Sequence, residues 1–183
     1  IHNALRPSLL PAIAPGPRTC PDKDRLTLGV VARLESIKGV AVALHALAHL
    51  RKHGYRATLR IAGDGPERTH LQQLANTLNI AAYVVFEGLV ADMAAFYADI
   101  DLLVHPALRE PFGQIAVEAG AYGVPAVVSA VDGLVEVIEH QRTGLCIEPT
   151  LSVADYRALG AGDDDLPPRV YDPAQDAIVA PRA

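Results

Sequence analysis

Residues 26–32, Leu-Thr-Leu-Gly-Val-Val-Ala, form a nearly continuous apolar run, and a segment of helical periodicity follows at residues 38–53. Such a run predicts a β-strand that is buried on both faces, as in parallel sheets. In residues 38–53 the apolar side chains recur every three or four positions, and Gly54 ends the pattern. The two segments together predict the first strand and the first crossover helix of an α/β fold.

The same alternation continues along the chain. Further strands are predicted at residues 57–62, 83–86, 101–105, 124–129 and 145–147, and further helices at residues 66–78, 92–98, 113–122 and 134–140. Strands that alternate with helices indicate βαβ units, a parallel sheet and right-handed crossovers. We therefore predict a Rossmann-like, doubly wound parallel sheet with helices on both faces.

The periodic pattern divides the chain into three parts. Residues 1–25 contain several prolines and no sustained period, which predicts an arm or interdomain linker. Residues 26–150 hold the predicted α/β domain. Residues 151–183 include three consecutive aspartates and two consecutive prolines, which predicts an irregular and truncated C-terminal tail.

The amino-acid composition of the chain argues against several classes of function. The 183 residues are 50% hydrophobic and carry a formal net charge of −5, which argues against a general nucleic-acid-binding surface. The two cysteines are too few and too far apart for a disulfide framework or a four-ligand zinc site, so the reducing cytoplasm is the expected compartment. The sequence has no apolar run of the roughly 18 residues that a membrane span requires.

In an open parallel sheet, ligands bind beyond the carboxyl ends of the strands. The predicted strands end before five segments, namely residues 33–38, 63–66, 87–89, 106–114 and 130–136. We expect the functional side chains of this protein to lie in these segments or in the helices that they begin.

Glu110 lies in the fourth of these segments, and Glu118 lies in the predicted helix that follows it. Pro111 favours an extended conformation for Glu110, and Gly113 opens a helix whose free backbone N–H groups suit a phosphate. Glu118 lies in the same helix and can face the same crevice. Carboxylates on both sides of a phosphate cradle can accept hydrogen bonds from sugar hydroxyls. The alternative is one loop glutamate and one solvated helical glutamate.

Two cations follow the first strand. Arg33 comes at the predicted strand end and Lys38 at the predicted start of the helix, a spacing that can hold a diphosphate from two sides. A lysine is unfavourable at the positive end of a helix, so a bound anion there would account for it. The alternative is a pair of solvated surface cations.

Residues 62–66, Ala-Gly-Asp-Gly-Pro, follow the second strand. A dinucleotide fingerprint would require a third glycine where the chain has Arg68, which disfavours a dehydrogenase. Gly63 and Gly65 are therefore either part of a nucleotide site or simply the residues of a tight turn. No base preference is readable from the segment around Glu87 and Leu89.

Together these motifs resemble the signature of the retaining GT-B glycosyltransferases, in particular those of family 4, also called group 1. The resemblance covers residues 26–149 and includes the Glu-x7-Glu spacing, the following Gly-Val-Pro, and the Arg-Leu and Lys-Gly pairs after the first strand. It implies that the chain is the C-terminal, donor-binding half of a GT-B fold.

The resemblance also implies individual roles. Glu110 would contact the transferred sugar, Glu118 would bind the ribose hydroxyls, and Arg33 and Lys38 would stabilise the leaving diphosphate. These roles make Arg33, Lys38 and Glu110 the candidate catalytic residues. The other implied nucleotide-sugar contacts, several of them through the backbone, are Gly63, Gly65, Glu87, Leu89, Phe112, Gly113, Gln114 and Ile115.

The expected function is that of a retaining glycosyltransferase that uses a nucleoside-diphosphate sugar and requires neither a metal nor another cofactor. The acceptor site would lie on a missing N-terminal domain, so this chain is expected to transfer nothing alone. The whole enzyme is expected in the cytoplasm, or at the inner face of the membrane as a peripheral protein, in polysaccharide biosynthesis. The alternatives are a sugar-nucleotide epimerase of similar architecture and a non-catalytic nucleotide-binding or scaffold domain.

The chain departs from the family pattern in places. Ala32 replaces a glycine before Arg33, and Asp132-Gly133-Leu134 stands where the family often has two glycines. Ile1-His2-Asn3 resembles the interdomain linker.

Three further motifs are interpreted as structural. Asp99-Ile100-Asp101 precedes a strand, at the end opposite the crevice, and is not expected to bind metal. The series His45, His49, His53 and the run 163–165 are interpreted as solvated.

Overall fold

A computed structural model describes residues 25–162 and residue 166 of the chain. It contains a sheet of six strands, which are β1 (Leu26–Val31), β2 (Ala57–Ala62), β3 (Val84–Gly88), β4 (Leu102–His105), β5 (Ala126–Ser129) and β6 (Gly144–Ile147). The helices are α1 (Val40–Lys52), α2 (Arg68–Thr77), α3 (Met93–Ala98), α4 (Gln114–Ala121), α5 (Leu134–Val137) and α6 (Val153–Ala158).

The sheet has the strand order β3-β2-β1-β4-β5-β6, and every strand pair is parallel. The chain builds outward from β1 to β3, then returns to place β4 on the other side of β1. The order therefore reverses between β1 and β4, and in open α/β sheets this is where ligands bind, beyond the carboxyl ends of the strands. This topology confirms the predicted α/β class.

Each face of the sheet has its own apolar core. On one face Leu28 and Val30 of β1 pack in a cluster with Leu44 and Leu47 of α1. On the other face Leu103 and Val128 pack in a cluster with α3, α4 and α5. Alternating side chains of each parallel strand thus point to opposite cores, which is why the strands are apolar almost throughout.

Several predicted boundaries were wrong by a few residues. The helix predicted at 38–53 begins at Val40, because Gly39 has a φ of 74° and separates α1 from a 3-10 turn at Ser36–Lys38. The strand predicted from residue 124 begins at Ala126, after Pro125, which has no N–H to donate to the ladder. The helix predicted at 134–140 ends at Val137, because Ile138 is extended.

The prediction of an irregular segment from residue 151 was wrong for α6. Ser152 caps this helix, since its hydroxyl accepts from the Asp155 N–H while the Asp155 carboxylate accepts from the Ser152 N–H. Tyr156 is buried, and its hydroxyl donates to the carbonyl of Ser36 at 2.5 Å. The helix is thus part of the domain. Residues 1–24, including Ile1-His2-Asn3, and the aspartates at 163–165 lie outside the described residues.

Candidate functional site

The loops that leave β1 and β4 are packed directly against each other. Gly39 permits this contact, because a Cβ atom at that position would lie 1.8 Å from the Pro106 carbonyl oxygen. The Leu108 N–H donates to the Ile37 carbonyl at 2.8 Å across the same junction. The 3-10 turn that carries Lys38 is therefore fixed against the segment that leads to Glu110.

Lys38 and Glu110 meet at this junction although 72 residues separate them. The Lys38 ammonium lies 2.9 Å from Glu110 Oε2, and the side chains of Lys38 and Glu110 are 20% and 11% exposed. The same oxygen contacts Nε2 of His105, a fully buried side chain at the end of β4, at 3.1 Å. Glu110 Oε1 accepts a longer bond from the Gly113 N–H at 3.3 Å. The protein thus holds the carboxylate from three sides.

These contacts decide the protonation state of Glu110. Burial by itself would raise the pKa of the carboxyl group, but the hydrogen bonds from His105 and Lys38 outweigh burial and lower the pKa to about 2. Glu110 is therefore a carboxylate at neutral pH, so it can accept hydrogen bonds but has no proton to donate. Oε1 has fewer partners than Oε2, so it has more capacity to accept a hydrogen bond from a ligand hydroxyl group.

The N-terminus of α4 lies beside this carboxylate. Gly113 caps the helix with a φ of 65°, and a Cβ atom there would lie 2.9 Å from Leu134 Cδ2. The first N–H groups of a helix have no partner within it and carry a partial positive charge. The arrangement can therefore accept an anion next to Glu110.

Glu118 lies further along α4 and is held more loosely. Its carboxylate accepts from the Tyr97 hydroxyl at 3.3 Å and from Gln114 Nε2 at 3.4 Å. The Tyr97 ring stacks on Tyr122 at 5.1 Å, and burial together with the charge of Glu118 raises the pKa of Tyr97. Because Glu118 is half-buried, its carboxylate can still exchange these partners for a ligand.

The two predicted cations differ in their surroundings. Arg33 follows β1, at the same edge of the sheet as Lys38, but its side chain is 70% exposed and pairs with Glu35. Lys38 lies in the 3-10 turn, so the predicted position at the start of a helix was wrong. The structure brings Lys38 to Glu110, whereas the Arg33 guanidinium pairs with Glu35, two positions further along the chain.

Gly63 and Gly65 allow close packing between the loops that leave β1 and β2. A Cβ atom on Gly63, whose φ is 130°, would lie 1.8 Å from the Ala32 carbonyl oxygen, and one on Gly65 would lie 2.5 Å from the Leu34 carbonyl oxygen. The Leu34 N–H donates to the Asp64 carbonyl at 3.0 Å. These glycines have the packing role of a tight turn, and their contact with a nucleotide stays a prediction.

Glu87 and Gly88 lie within β3, so the prediction that residues 87–89 follow the strand was wrong for these two residues. The end of β3 and the loop after it offer mainly backbone groups and exposed apolar side chains. The Glu87 carboxylate pairs with Arg60 at 2.5 Å and is 18% exposed, so its side chain is already engaged. Leu89 is 87% exposed and Phe112, in the β4 loop, is 54% exposed. Arg68 donates to the Phe86 carbonyl at 3.1 Å and fixes the course of this segment.

Two residues of the site were missed by sequence reasoning. His105 was counted only as part of an apolar strand, although a histidine directly before Pro106 at a strand end was a usable signal. Asp132 was noted as a departure from a glycine pair, but its contact was not foreseen. Its carboxylate accepts from the Glu110 N–H at 2.9 Å and from Arg109 Nε at 2.8 Å.

The motifs interpreted as structural have identifiable partners. Asp101 precedes β4 and accepts from the Thr27 N–H at 2.7 Å, while Asp99 pairs with Arg60 at 2.7 Å. His45 corrects the expectation of a fully solvated histidine face, because its Nε2 contacts the Leu159 carbonyl at 2.7 Å. Within residues 25–162 and residue 166, no cluster of three or more His, Cys, Asp or Glu side chains is placed to hold a metal ion.

An apolar cavity of about 280 Å³ lies elsewhere, between α1, α6 and the ends of β4, β5 and β6. Neither Lys38, Glu110 nor Glu118 lines it. Its apolar walls offer no charged group for a phosphate apart from Glu148, which would repel one. The charged junction between β1 and β4 is therefore the better candidate for a nucleotide site.

Comparison with known proteins agrees with this fold. Residues 18–159 match the family model described as Glycosyl transferases group 1, which covers well over half of the chain. The chain therefore belongs to the glycosyl transferases group 1 family. It is 37% identical over 130 residues to an uncharacterized glycosyltransferase, MJ1607, of Methanocaldococcus jannaschii, a match that covers 70% of this chain and 33% of that relative.

Two solved structures show the same architecture. HepE of Anabaena, crystallised with UDP and glucose, is similar with a TM-score of 0.64 and 30% identity, over 69% of this chain and 35% of HepE. The C-terminal domain of LpcC, a group 1 glycosyl transferase of Francisella tularensis, is similar in fold with a TM-score of 0.61 and 21% identity, over 74% of this chain and 71% of that domain. The chain thus spans about a third of the length of the curated relatives it matches.

None of the helices within the described part of the chain is both long enough and apolar enough to cross a lipid bilayer.

Proposed function

We propose that this chain is the C-terminal, donor-binding domain of a retaining family 4 glycosyltransferase and binds a nucleoside-diphosphate sugar. The observation that carries the proposal is the contact between Lys38 and Glu110, 2.9 Å apart beside the N-terminus of α4, at the point where the strand order reverses. The cation and the helix N–H groups suit a phosphate, and the carboxylate suits sugar hydroxyls, so together they match a ligand that contains both.

Each group has a chemical role in this proposal. The diphosphate lies at the N-terminus of α4, where Lys38 and Arg33 stabilise the charge that develops on it. Glu110 accepts hydrogen bonds from hydroxyl groups of the sugar through Oε1. Glu118 replaces its long hydrogen bonds with the hydroxyls of the ribose. These cations provide the electrostatic stabilisation that a divalent metal would otherwise supply, so we propose that no metal is required.

In the transfer step, the bond between the anomeric carbon and the phosphate oxygen breaks, and its electron pair stays on the diphosphate. The acceptor oxygen bonds to the same carbon, its hydroxyl proton passes to the departing diphosphate oxygen, and the anomeric configuration is retained. The ionised Glu110 orients the sugar but does not protonate the leaving group. The acceptor would bind an N-terminal domain, so we expect the chain alone to bind nucleotide and transfer nothing.

Further parts of the proposal concern the whole protein. The relatives extend well beyond this chain, and the HepE structure holds UDP and glucose, which supports a nucleotide sugar as the ligand class. We propose that the whole enzyme works in the cytoplasm or at the inner face of the membrane, in polysaccharide assembly. A scaffold domain would not need Lys38 and Glu110 to be held together in a partly exposed crevice.

A calorimetric titration of the chain with UDP, GDP, ADP and CMP, followed by UDP-glucose and GDP-mannose, tests the proposal. We expect binding of at least one of these nucleotides. Arg33→Ala should weaken that binding by about tenfold, which is the effect of one charge-assisted hydrogen bond. Arg142→Ala is the matched control, since Arg142 is 74% exposed and also pairs with a nearby glutamate. No binding to any of these ligands at millimolar concentration would overturn the proposal.

A further inference from the structure

Asp132, in the loop that leaves β5, has a left-handed backbone conformation, which is uncommon for any residue other than glycine. Its φ is 42°, in the left-handed region, which glycine adopts without steric cost and which aspartate and asparagine adopt at a modest cost. Its side chain is only 10% exposed. A residue that keeps a strained backbone is usually held there by contacts that depend on its side chain.

The Asp132 carboxylate makes such contacts with the candidate site. Its Oδ2 accepts from the Glu110 N–H at 2.9 Å and from Arg109 Nε at 2.8 Å. In the opposite direction, the Gly133 N–H donates to the Glu110 carbonyl at 3.1 Å. The backbone of Glu110 is therefore bound on both sides to the loop that leaves β5.

The loops that leave β4 and β5 approach each other so closely that few residue types fit between them. A Cβ atom on Gly133 would lie 2.4 Å from the Pro111 carbonyl oxygen, so only glycine fits beside the β4 loop. Asp132 supplies the acceptor that this approach requires. Without it, the Glu110 N–H and the Arg109 side chain would each lose a charged partner. Lys38 and His105 hold only the Glu110 carboxylate and do not replace a bond to its backbone.

We infer that Asp132 is a positioning residue for Glu110 and thereby sets how the site recognises the sugar of the donor. The inference rests on the proposed function, in which Glu110 contacts the sugar. Because the backbone and the carboxylate of Glu110 are both fixed, its Oε1 atom has one orientation. A sugar hydroxyl group can therefore donate to Oε1 only if the sugar itself is positioned to meet that orientation. Asp132 has no such effect on the diphosphate, which binds Arg33, Lys38 and α4.

Two variants separate this role from a general effect on folding. Asp132→Gly removes the carboxylate and also relieves the backbone strain, so the domain is expected to fold. Asp132→Asn keeps an oxygen that can accept both hydrogen bonds, and asparagine tolerates the left-handed region. The asparagine variant should therefore behave like the wild type in every measurement below.

The first experiment is calorimetry with UDP and UDP-glucose, or with GDP and GDP-mannose if the wild type prefers them. Asp132→Gly should weaken binding of the sugar nucleotide by roughly tenfold, while binding of the diphosphate alone changes by less than about twofold. An equal loss for both ligands, or no loss for either, would overturn the positioning role. A wild-type chain that binds none of the four ligands would instead overturn the proposed function.

The second experiment needs no ligand. Hydrogen exchange of the Glu110 amide, followed by NMR, reports directly on its bond to Asp132. We expect Asp132→Gly to accelerate this exchange by at least about tenfold relative to Asp132→Asn, with amides of β1 unaffected. Equal exchange rates in the two variants would show that Asp132 does not hold Glu110.

Discussion

Glu110 and Glu118 belong to the same segment of the chain, yet the protein holds them in different ways. Glu110 is buried and bound by Lys38, His105 and Gly113, and its backbone is bound by the β5 loop. Glu118 is half-buried and has two long hydrogen bonds from neutral groups. One carboxylate is part of the framework of the site before any ligand arrives, and the other is available to a ligand.

The difference implies different consequences of mutation. Changing a partner of Glu110 should affect both the free energy of unfolding and ligand binding, because the contact exists in the free protein. Changing Glu118 should affect binding far more than folding. The predictions below test this contrast.

Lys38→Met should give the largest effect. It leaves the buried Glu110 carboxylate without its ammonium partner and should lower the free energy of unfolding by about 3 kcal/mol. It should also weaken binding of nucleoside diphosphate by at least about tenfold. Urea denaturation and calorimetry measure the two effects. Lys52→Met, at an exposed position of α1, is the control and should change neither. A stability equal to that of the control would mean that the pair does not support the fold.

Glu118→Ala should lower nucleotide affinity by roughly 10–100-fold, from the loss of about 1.5–3 kcal/mol of charge-assisted hydrogen bonding to the ribose. The free energy of unfolding should change by less than about 1 kcal/mol, because the hydrogen bonds it loses are long. Calorimetry with the preferred nucleotide measures the affinity, and Glu139→Ala, an exposed glutamate, is the control. An unchanged dissociation constant would show that Glu118 does not bind the ribose.

Glu110→Gln should change how stability depends on pH. The pKa of Glu110 is lowered from 4.5 to about 2 in the folded protein, so its contribution is fully present above about pH 5 and is lost as the pH falls toward 2. Between pH 6 and pH 3 the wild type should lose about 2 kcal/mol more of its free energy of unfolding than the variant. Urea denaturation at both pH values measures this. Parallel losses in the two proteins would contradict the lowered pKa.

Tyr156→Phe should give the smallest effect. It removes the hydrogen bond from α6 to the Ser36 carbonyl in the turn that carries Lys38, at a cost of about 1 kcal/mol in the free energy of unfolding. Tyr55→Phe is the control, because Tyr55 is 54% exposed. If the two variants melt at the same temperature, α6 does not support the turn through this bond.

Much of the fold was predictable because local patterns and global topology agree. The buried runs at β1 and β2 and the glycines after them are sufficient to identify a parallel sheet and its edge. Position relative to the strand ends then placed Lys38 and Glu110 at the same edge, although no local pattern relates residues 72 positions apart. Both residues lie within residues 18–159, which match the glycosyl transferases group 1 family model.

The features that the sequence did not predict depend on contacts between residues distant in the chain or on local signals that were overlooked. His105 lies in an apolar strand and gains its role only through a neighbour five residues away that folds back on it. α6 was missed because the glycines and aspartates at 160–165 obscured a capping box at Ser152 and Asp155. The left-handed backbone of Asp132 is held by Glu110 and Arg109 in another loop, which no single-residue preference reveals.

The most direct test of the account is a crystal structure of this chain with the nucleoside diphosphate that it binds most tightly. We expect the diphosphate at the N-terminus of α4, within hydrogen-bonding distance of Lys38 and Arg33, and the ribose hydroxyls on Glu118. A nucleotide bound in the apolar cavity between α1 and α6, or at the opposite edge of the sheet, would contradict it.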